Sequence, residues 1–289
     1  FRRVLFRSVG VLGVSASAIL VRFSQAPSGV TAAYRLGWTV LLLLPVVLLR
    51  CRAELRRVTA RDLVLCGASG VLLALHFLTW FESLKRTSVA SSTVLVSTEV
   101  IFTALGFALF LHGKIPRLGG WAILLAFGGS ALLALSGGGG AGGLSGNLLA
   151  LAAASAAAVY TLIGRIQRGH LSTTVYTFLT YLACFLTLLL GTAAAGTPLT
   201  GYGGREWLIG LALAVLCTLL GHSLFSWCLK YLSPSYVSAA KLCEPVFSSL
   251  AAIPLFGEVP GPLQLAGGAA VLGAVLLYTW AEREKTPAG

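Results

Sequence analysis

Ten long apolar stretches, too few charges to cover a soluble surface, and a carboxylate that recurs in both halves mark an all-α integral membrane protein. Ten transmembrane helices are expected, in two inverted five-helix repeats with both termini cytoplasmic. Of the 289 residues, 57% are hydrophobic and 10% charged, and the mean hydropathy is +0.89. A soluble domain carries roughly 25% charged residues, so this chain cannot dress a globular surface. A transmembrane β-barrel is excluded too, because its strands would read as ~10-residue alternating segments.

Crossing ~30 Å of hydrocarbon takes about 20 apolar residues per helix. In chain order the first five stretches that qualify are Val4–Ser24, Gly29–Leu49, Asp62–Phe81, Ser88–Leu111 and Leu118–Leu135. The second five are Leu144–Gly164, Leu171–Ala193, Glu206–Leu229, Ser235–Phe256 and Pro262–Ala281. Short connections make neighbouring helices antiparallel. Ser136–Gly146 (SGGGGAGGLSG) reads as a flexible linker, dividing the chain into repeats over 1–135 and 147–289. The chain opens at Phe1 and has no methionine, so its native start is expected to be missing, and residues 1–7 are set aside from the functional argument.

Charge sets the orientation. Of 21 lysines and arginines, Arg22, Lys85, Arg86 and Arg205 fall on one side, Arg35 and Lys241 fall inside spans, and the other 15 share the opposite side. Basic loops resist translocation, so the richer side, which includes both termini, is assigned to the cytoplasm. The same bias accounts for most of the net charge of +12, which in a soluble protein would suggest nucleic acid. No basic run interleaved with aromatics occurs, and no nucleic-acid partner is expected. The cysteines (Cys51, Cys66, Cys184, Cys217, Cys228, Cys243) show no C-x-x-C spacing and read as small buried hydrophobes. Neither a metal site nor a cofactor is expected.

The halves look related. A shift of 145 residues lays Leu84-Lys85 on Leu229-Lys230, Ser88 on Ser233, Glu99 on Glu244 and Phe102 on Phe247, and a shift of 142 lays Tyr34 on Tyr176. The Glu99/Glu244 match counts most, because intramembrane carboxylates are rare. Five spans per half invert the second half relative to the first. Many secondary transporters are built this way, with a site near the midplane between repeats.

The sequence resembles the EamA-type permeases of the drug/metabolite transporter superfamily. The resemblance runs over nearly the whole chain. It rests on SAILVRF at Ser17–Phe23, AAYR at Ala32–Arg35, SLKRTSVASSTVLVSTEVIF at Ser83–Phe102, CLKYLSPSYVSAAKLCEPVFSSL at Cys228–Leu250 and LFGEVPGPLQLAGGAAVLGAVLLY at Leu255–Tyr278. It implies ten helices in two inverted repeats and transport of small metabolites, often export of amino acids or related compounds. It does not give a substrate. Where the second repeat carries FGE at Phe256–Glu258, the first carries LHGK at Leu111–Lys114, which puts a shared role for Glu258 in doubt.

Glu99 and Glu244 fall near mid-bilayer, where an ionised carboxylate costs at least ~2.5–3.5 kcal/mol on insertion scales. Each needs a cation, a wet cavity or a proton, and either could couple transport to protons; the plainer reading is a structural acid capped by hydroxyls such as Ser97 or Thr98. Lys241 precedes Glu244 by three residues and shares its helix face. Pro245 follows, frees a backbone carbonyl and permits a hinge. Two signs of charge at one depth suit a zwitterionic or polar metabolite, or else form a self-satisfied ion pair.

Arg35 either snorkels along its stem or holds a substrate carboxylate. Tyr34, Trp80, Tyr176 and Trp227 are candidate wall residues of the substrate site. His76 and His222 are candidate proton relays, although a lone histidine in a helix is more often a core residue. The expected activity is alternating-access transport of a small polar metabolite across the cell membrane, by a monomer or homodimer. The alternatives are a membrane-embedded enzyme, for which no catalytic pair is recognisable, and a non-transporting scaffold.

Overall fold

The computed structural model describes residues 16–110, 115–135, 141–231 and 243–283. Residues 16–23 are helical and are called α1. There follow α2 (Ser28–Arg50), the single turn α3 (Arg52–Leu55), α4 (Ala60–Arg86), α5 (Val89–Val96), α6 (Glu99–Phe110) and α7 (Arg117–Leu135). The second half holds α8 (Ala141–Gln167), α9 (Thr173–Ala194) and α10 (Gly204–Ala212), then a π-helix over Leu213–His222 that runs into α11 (Ser223–Cys228). It closes with α12 (Cys243–Phe256) and α13 (Pro262–Arg283). Among the described residues there is no strand.

Among the described residues, seven helical stretches are long and apolar enough to cross a membrane: Ser28–Arg50, Ala60–Arg86, Val89–Phe110, Gly143–Gln167, Thr173–Ala194, Gly204–Cys228 and Pro262–Ala281. Arg117–Leu133 and Glu244–Phe256 are shorter apolar helices. Most of the first expected span, Val4–Ser24, lies outside the described residues.

Local chemistry fixes several helix ends. Thr59 and Asp62 form a capping box that starts α4 two residues before the expected span. Ser88 caps α5 through the Ser91 amide and Ser172 caps α9 through the Val175 amide. The span expected over Ser88–Leu111 breaks in two just before Glu99. Ser97 Oγ donates to the Thr93 carbonyl (3.0 Å) and Thr98 Oγ1 to the Leu95 carbonyl (2.6 Å), so two hydroxyls occupy backbone acceptors at the break. The Gly-rich stretch expected to be a linker over 136–146 is helical from Ala141, because the tertiary contacts of α8 outweigh the weak propensity of its glycines. Residues 136–140 lie outside the described residues.

Packing sorts the helices into two bundles around a central pair. The central pair, α4 and α8, makes the most extensive helix–helix contact among the described residues. On one side α2 packs on α9, α10 and the π-helix, and α1 joins them through Ala18 and Val21. On the other side α13 packs along α7, and α5 packs on α12 and α13. Each bundle therefore mixes helices from both halves of the chain. The α7–α13 crossing is close: a Cβ at Gly129 would stand 2.9 Å from the Gly267 carbonyl oxygen, and the reverse holds at Gly267. Outward-facing Leu124, Leu190, Leu208 and Leu265 are well exposed, as lipid-facing residues are.

Candidate functional site

Arg35 sits two turns into α2 and has no exposed surface, although guanidinium groups are rarely buried unless paired. Its Nε donates to Thr218 Oγ1 at 2.7 Å and its Nη1 to Ser17 Oγ at 3.1 Å. The guanidinium carbon lies 4.2 Å from the centre of the Phe77 ring, a desolvated cation–π contact. Nη2 has no hydrogen-bond partner among the described residues. Three helices and the π-helix thus converge on one cation: α1 through Ser17, α2 itself, α4 through Phe77, and the π-helix through Thr218.

The π-helix explains how Thr218 reaches it. Wider winding over Leu213–His222 puts Cys217, Thr218 and His222 on the buried side together. Such segments are rare and collect at functional sites. His222 lies 5.6 Å from the Phe77 ring and 6.4 Å from His76, centre to centre. His76 stacks on Trp80 at 5.8 Å. Nδ1 of His76 faces the Ala153 carbonyl oxygen at 3.0 Å, so Nδ1 carries the hydrogen and donates it. Trp80 Nε1 is a second buried donor without an acceptor among the described residues.

Glu244 lies in the first turn of α12, is 8% exposed, and is one of the groups that act electrostatically on Arg35. Glu99 opens α6, where a carboxylate favours the positive end of the helix dipole, and accepts from Thr161 Oγ1 at 2.9 Å. Neighbouring Tyr160 reaches Ser226 Oγ at 3.3 Å, and Tyr181 reaches Ser223 Oγ at 3.3 Å. Tyr181 also interacts electrostatically with both Tyr160 and Arg35.

Of the residues singled out in the sequence, Arg35, His76, Trp80, His222 and Glu244 share this region. Tyr34 does not. One helical step turns it about 100° from Arg35, so it stacks on Trp207 at 4.1 Å and donates to the Leu199 carbonyl. Tyr176 is fully buried against Ser69 Oγ (3.0 Å), beside Cys66 and Val175. Trp227 pairs with Tyr231 at 5.0 Å on a half-buried face. Lys241 lies outside the described residues. Pro245 falls in the first turn of α12 rather than in the interior of a described helix. Sequence reasoning missed Ser17, Phe77, Thr218, Tyr160, Thr161 and Tyr181. A lone threonine in the apolar run LAVLCTLLG was the one available signal for Thr218. Among the described residues no group of three or more His, Cys, Asp or Glu side chains is placed to hold a metal ion.

Apolar helices of membrane-crossing length around buried charges of both signs are the build of a membrane transporter. Comparison with known proteins agrees. The chain belongs to the EamA-like transporter family, whose pattern matches residues 4–135 and again residues 144–280. It is 24% identical over 207 residues, 72% of each chain, to the Pseudopaline exporter CntI of Pseudomonas aeruginosa strain UCBPP-PA14. The protein of the same name from a second strain of that organism matches with the same identity and coverage. A crystal structure sharing 18% identity over 96% of both chains superposes with a TM-score of 0.68, and so has the same fold.

Proposed function

We propose that the chain is a secondary transporter exporting a small polar metabolite, such as an amino acid, by alternating access. Ten spans in two inverted five-helix repeats, with both termini cytoplasmic, form the scaffold of this reading. The double match of the family pattern supports two repeats, and the exporter name of the relatives supports outward movement. The observation that carries the reading is the Arg35 guanidinium, fully buried where the α1–α2 bundle meets the central helix α4, with Nη2 lacking an acceptor among the described residues. A substrate carboxylate suits that donor, and Trp80 Nε1 offers another to an acceptor oxygen. Glu244 supplies the opposite charge for a substrate ammonium, with Lys241 and Glu99 as further polar groups and His76 and His222 as walls or proton relays.

The test is counterflow in proteoliposomes containing the full chain, screened with labelled amino acids and other small metabolites. Uptake driven by an internal load of the same solute supports the reading. A screen in which no solute moves, while a lipid or peptide is chemically altered, overturns it.

A further inference from the structure

The tetrapeptide Leu255–Glu258, ending α12, meets the end of α1. Gly257 takes a left-handed φ of +67°, which a side chain would strain, and so turns the chain out of the helix. Phe256, just before it, packs its ring 5.1 Å from Phe23, while the Arg22 guanidinium lies 5.9 Å from the same ring. Glu258, just after it, takes Arg22 Nη2 at 2.6 Å with Oε1 and the Val89 amide at 2.8 Å with Oε2. The other terminal nitrogen of Arg22 donates to the Leu84 carbonyl. One carboxylate therefore binds a residue of the α1–α2 bundle and the amino end of α5, from the opposite bundle.

This bridge differs from its neighbours at the same end. Glu206, which accepts from Ser24 Oγ (2.5 Å) and the Gln25 amide (3.0 Å), joins α10 to the α1–α2 turn within one bundle. Gln264, which donates to Ser88 and Ser91, joins α13 to α5 within the other. The other such contacts among the described residues are the Arg86–Glu82 ion pair, within α4, and the His170–Asp62 hydrogen bond, beside the central helices. Arg22–Glu258 is the one described ion pair that joins the two bundles. Its side chains are 28% and 20% exposed. Partial exposure weakens an ion pair, so this contact can part during a cycle where a buried one would resist.

We propose that Arg22 and Glu258 form the latch of the outer gate, positioning residues that hold the two bundles together at the non-cytoplasmic end and part when the site opens there. FGE at Phe256–Glu258 then has one role per residue: Phe256 seats Arg22, Gly257 makes the turn, and Glu258 closes the latch.

The test needs no substrate. Cys217 is buried beside Arg35, and a full-length variant keeping it as the only cysteine reports access to the site. A membrane-impermeant maleimide is applied to intact cells and, separately, to inverted membrane vesicles. Glu258→Gln keeps an acceptor for the Val89 amide and removes the charge. It is expected to raise the Cys217 labelling rate in intact cells about fivefold, the shift that losing roughly 1 kcal/mol from an ion pair gives, with no rise in inverted vesicles. Arg22→Gln probes the same bond from its other end and is expected to match. An unchanged rate in both Gln variants overturns the latch. So does an equal rise from both sides, which marks general loosening, or a rise confined to inverted vesicles, which puts the contact at the cytoplasmic end.

Discussion

Arg35 and Thr218 meet at 2.7 Å although 183 residues of chain separate them. The contact joins α2 of the first half to the π-helix of the second, so the buried cation depends on both halves folding together. Thr218 Oγ1 also lies 3.3 Å from the Leu213 carbonyl five residues earlier, the spacing of π winding. The hydroxyl can therefore donate to its own helix while accepting from Arg35, which ties local winding to a long-range contact.

If Arg35 anchors the substrate, Arg35→Gln abolishes counterflow. Arg35→Lys reduces it about tenfold or more, because an ammonium is a point charge and cannot serve Thr218, Ser17 and a substrate with a planar fork. Size-exclusion profiles of both variants show whether the chain still folds. Wild-type transport in a folded Arg35→Gln protein would make this arginine a structural residue.

Thr218→Val keeps the side chain's shape and leaves Arg35 Nε without its acceptor. A buried hydrogen bond to a charged group is worth about 1.5–3 kcal/mol, so the thermal midpoint in detergent should fall clearly. Thr218→Ser restores the hydroxyl and should recover most of the loss. Equal midpoints for Val and Ser would mean that the methyl packing matters and the hydrogen bond does not.

The contrast between Arg35 and Tyr34 shows what the sequence could convey. Length and hydropathy place helices, and a charge inside an apolar run marks Arg35, His76, His222 and Glu244 because burial of polar groups is costly wherever it happens. Direction around a helix is harder to read when every face is apolar, and Tyr34 was grouped with Arg35 although the two point to different neighbours. The break before Glu99 and the π-helix depend on which carbonyls hydroxyls and neighbouring helices capture, a tertiary matter. The pairing of Arg22 with Glu258 was hidden for another reason. Arg22 was absorbed into the count of loop charges that sets orientation, and a partner 236 residues away leaves no trace in spacing.

Gly129 and Gly120 lie on the same helix, α7, in opposite circumstances. A Cβ at Gly129 would meet the Gly267 carbonyl oxygen and Ala270 Cβ, both at 2.9 Å, whereas one at Gly120 meets nothing within 4 Å. Gly129→Leu must push α7 away from α13, and overpacking of this kind costs about 1–3 kcal/mol or more. Gly120→Ala should be neutral or slightly stabilising, since alanine is the better helix former. Thermal unfolding of the two variants side by side checks the crossing; equal midpoints would show that the α7–α13 contact carries little of the stability.

Glu244 and Glu99 have different surroundings, so their neutral variants should separate. Each lies in the first turn of a helical segment and is nearly buried, but Glu244 interacts with Arg35 whereas Glu99 is held by Thr161. If the chain works by alternating access, a carboxylate that acts on a buried cation is placed to exchange that partner for substrate or a proton. One held by a hydroxyl on a packed helix is placed to stabilise. Glu244→Gln should therefore abolish counterflow, or flatten its dependence on pH, while leaving the thermal midpoint near wild type. Glu99→Gln can still accept from Thr161 and should retain more transport than Glu244→Gln. Measuring both variants across a pH series decides between the roles. If Glu244→Gln transports at the wild-type rate with the wild-type pH profile, Glu244 is a structural acid.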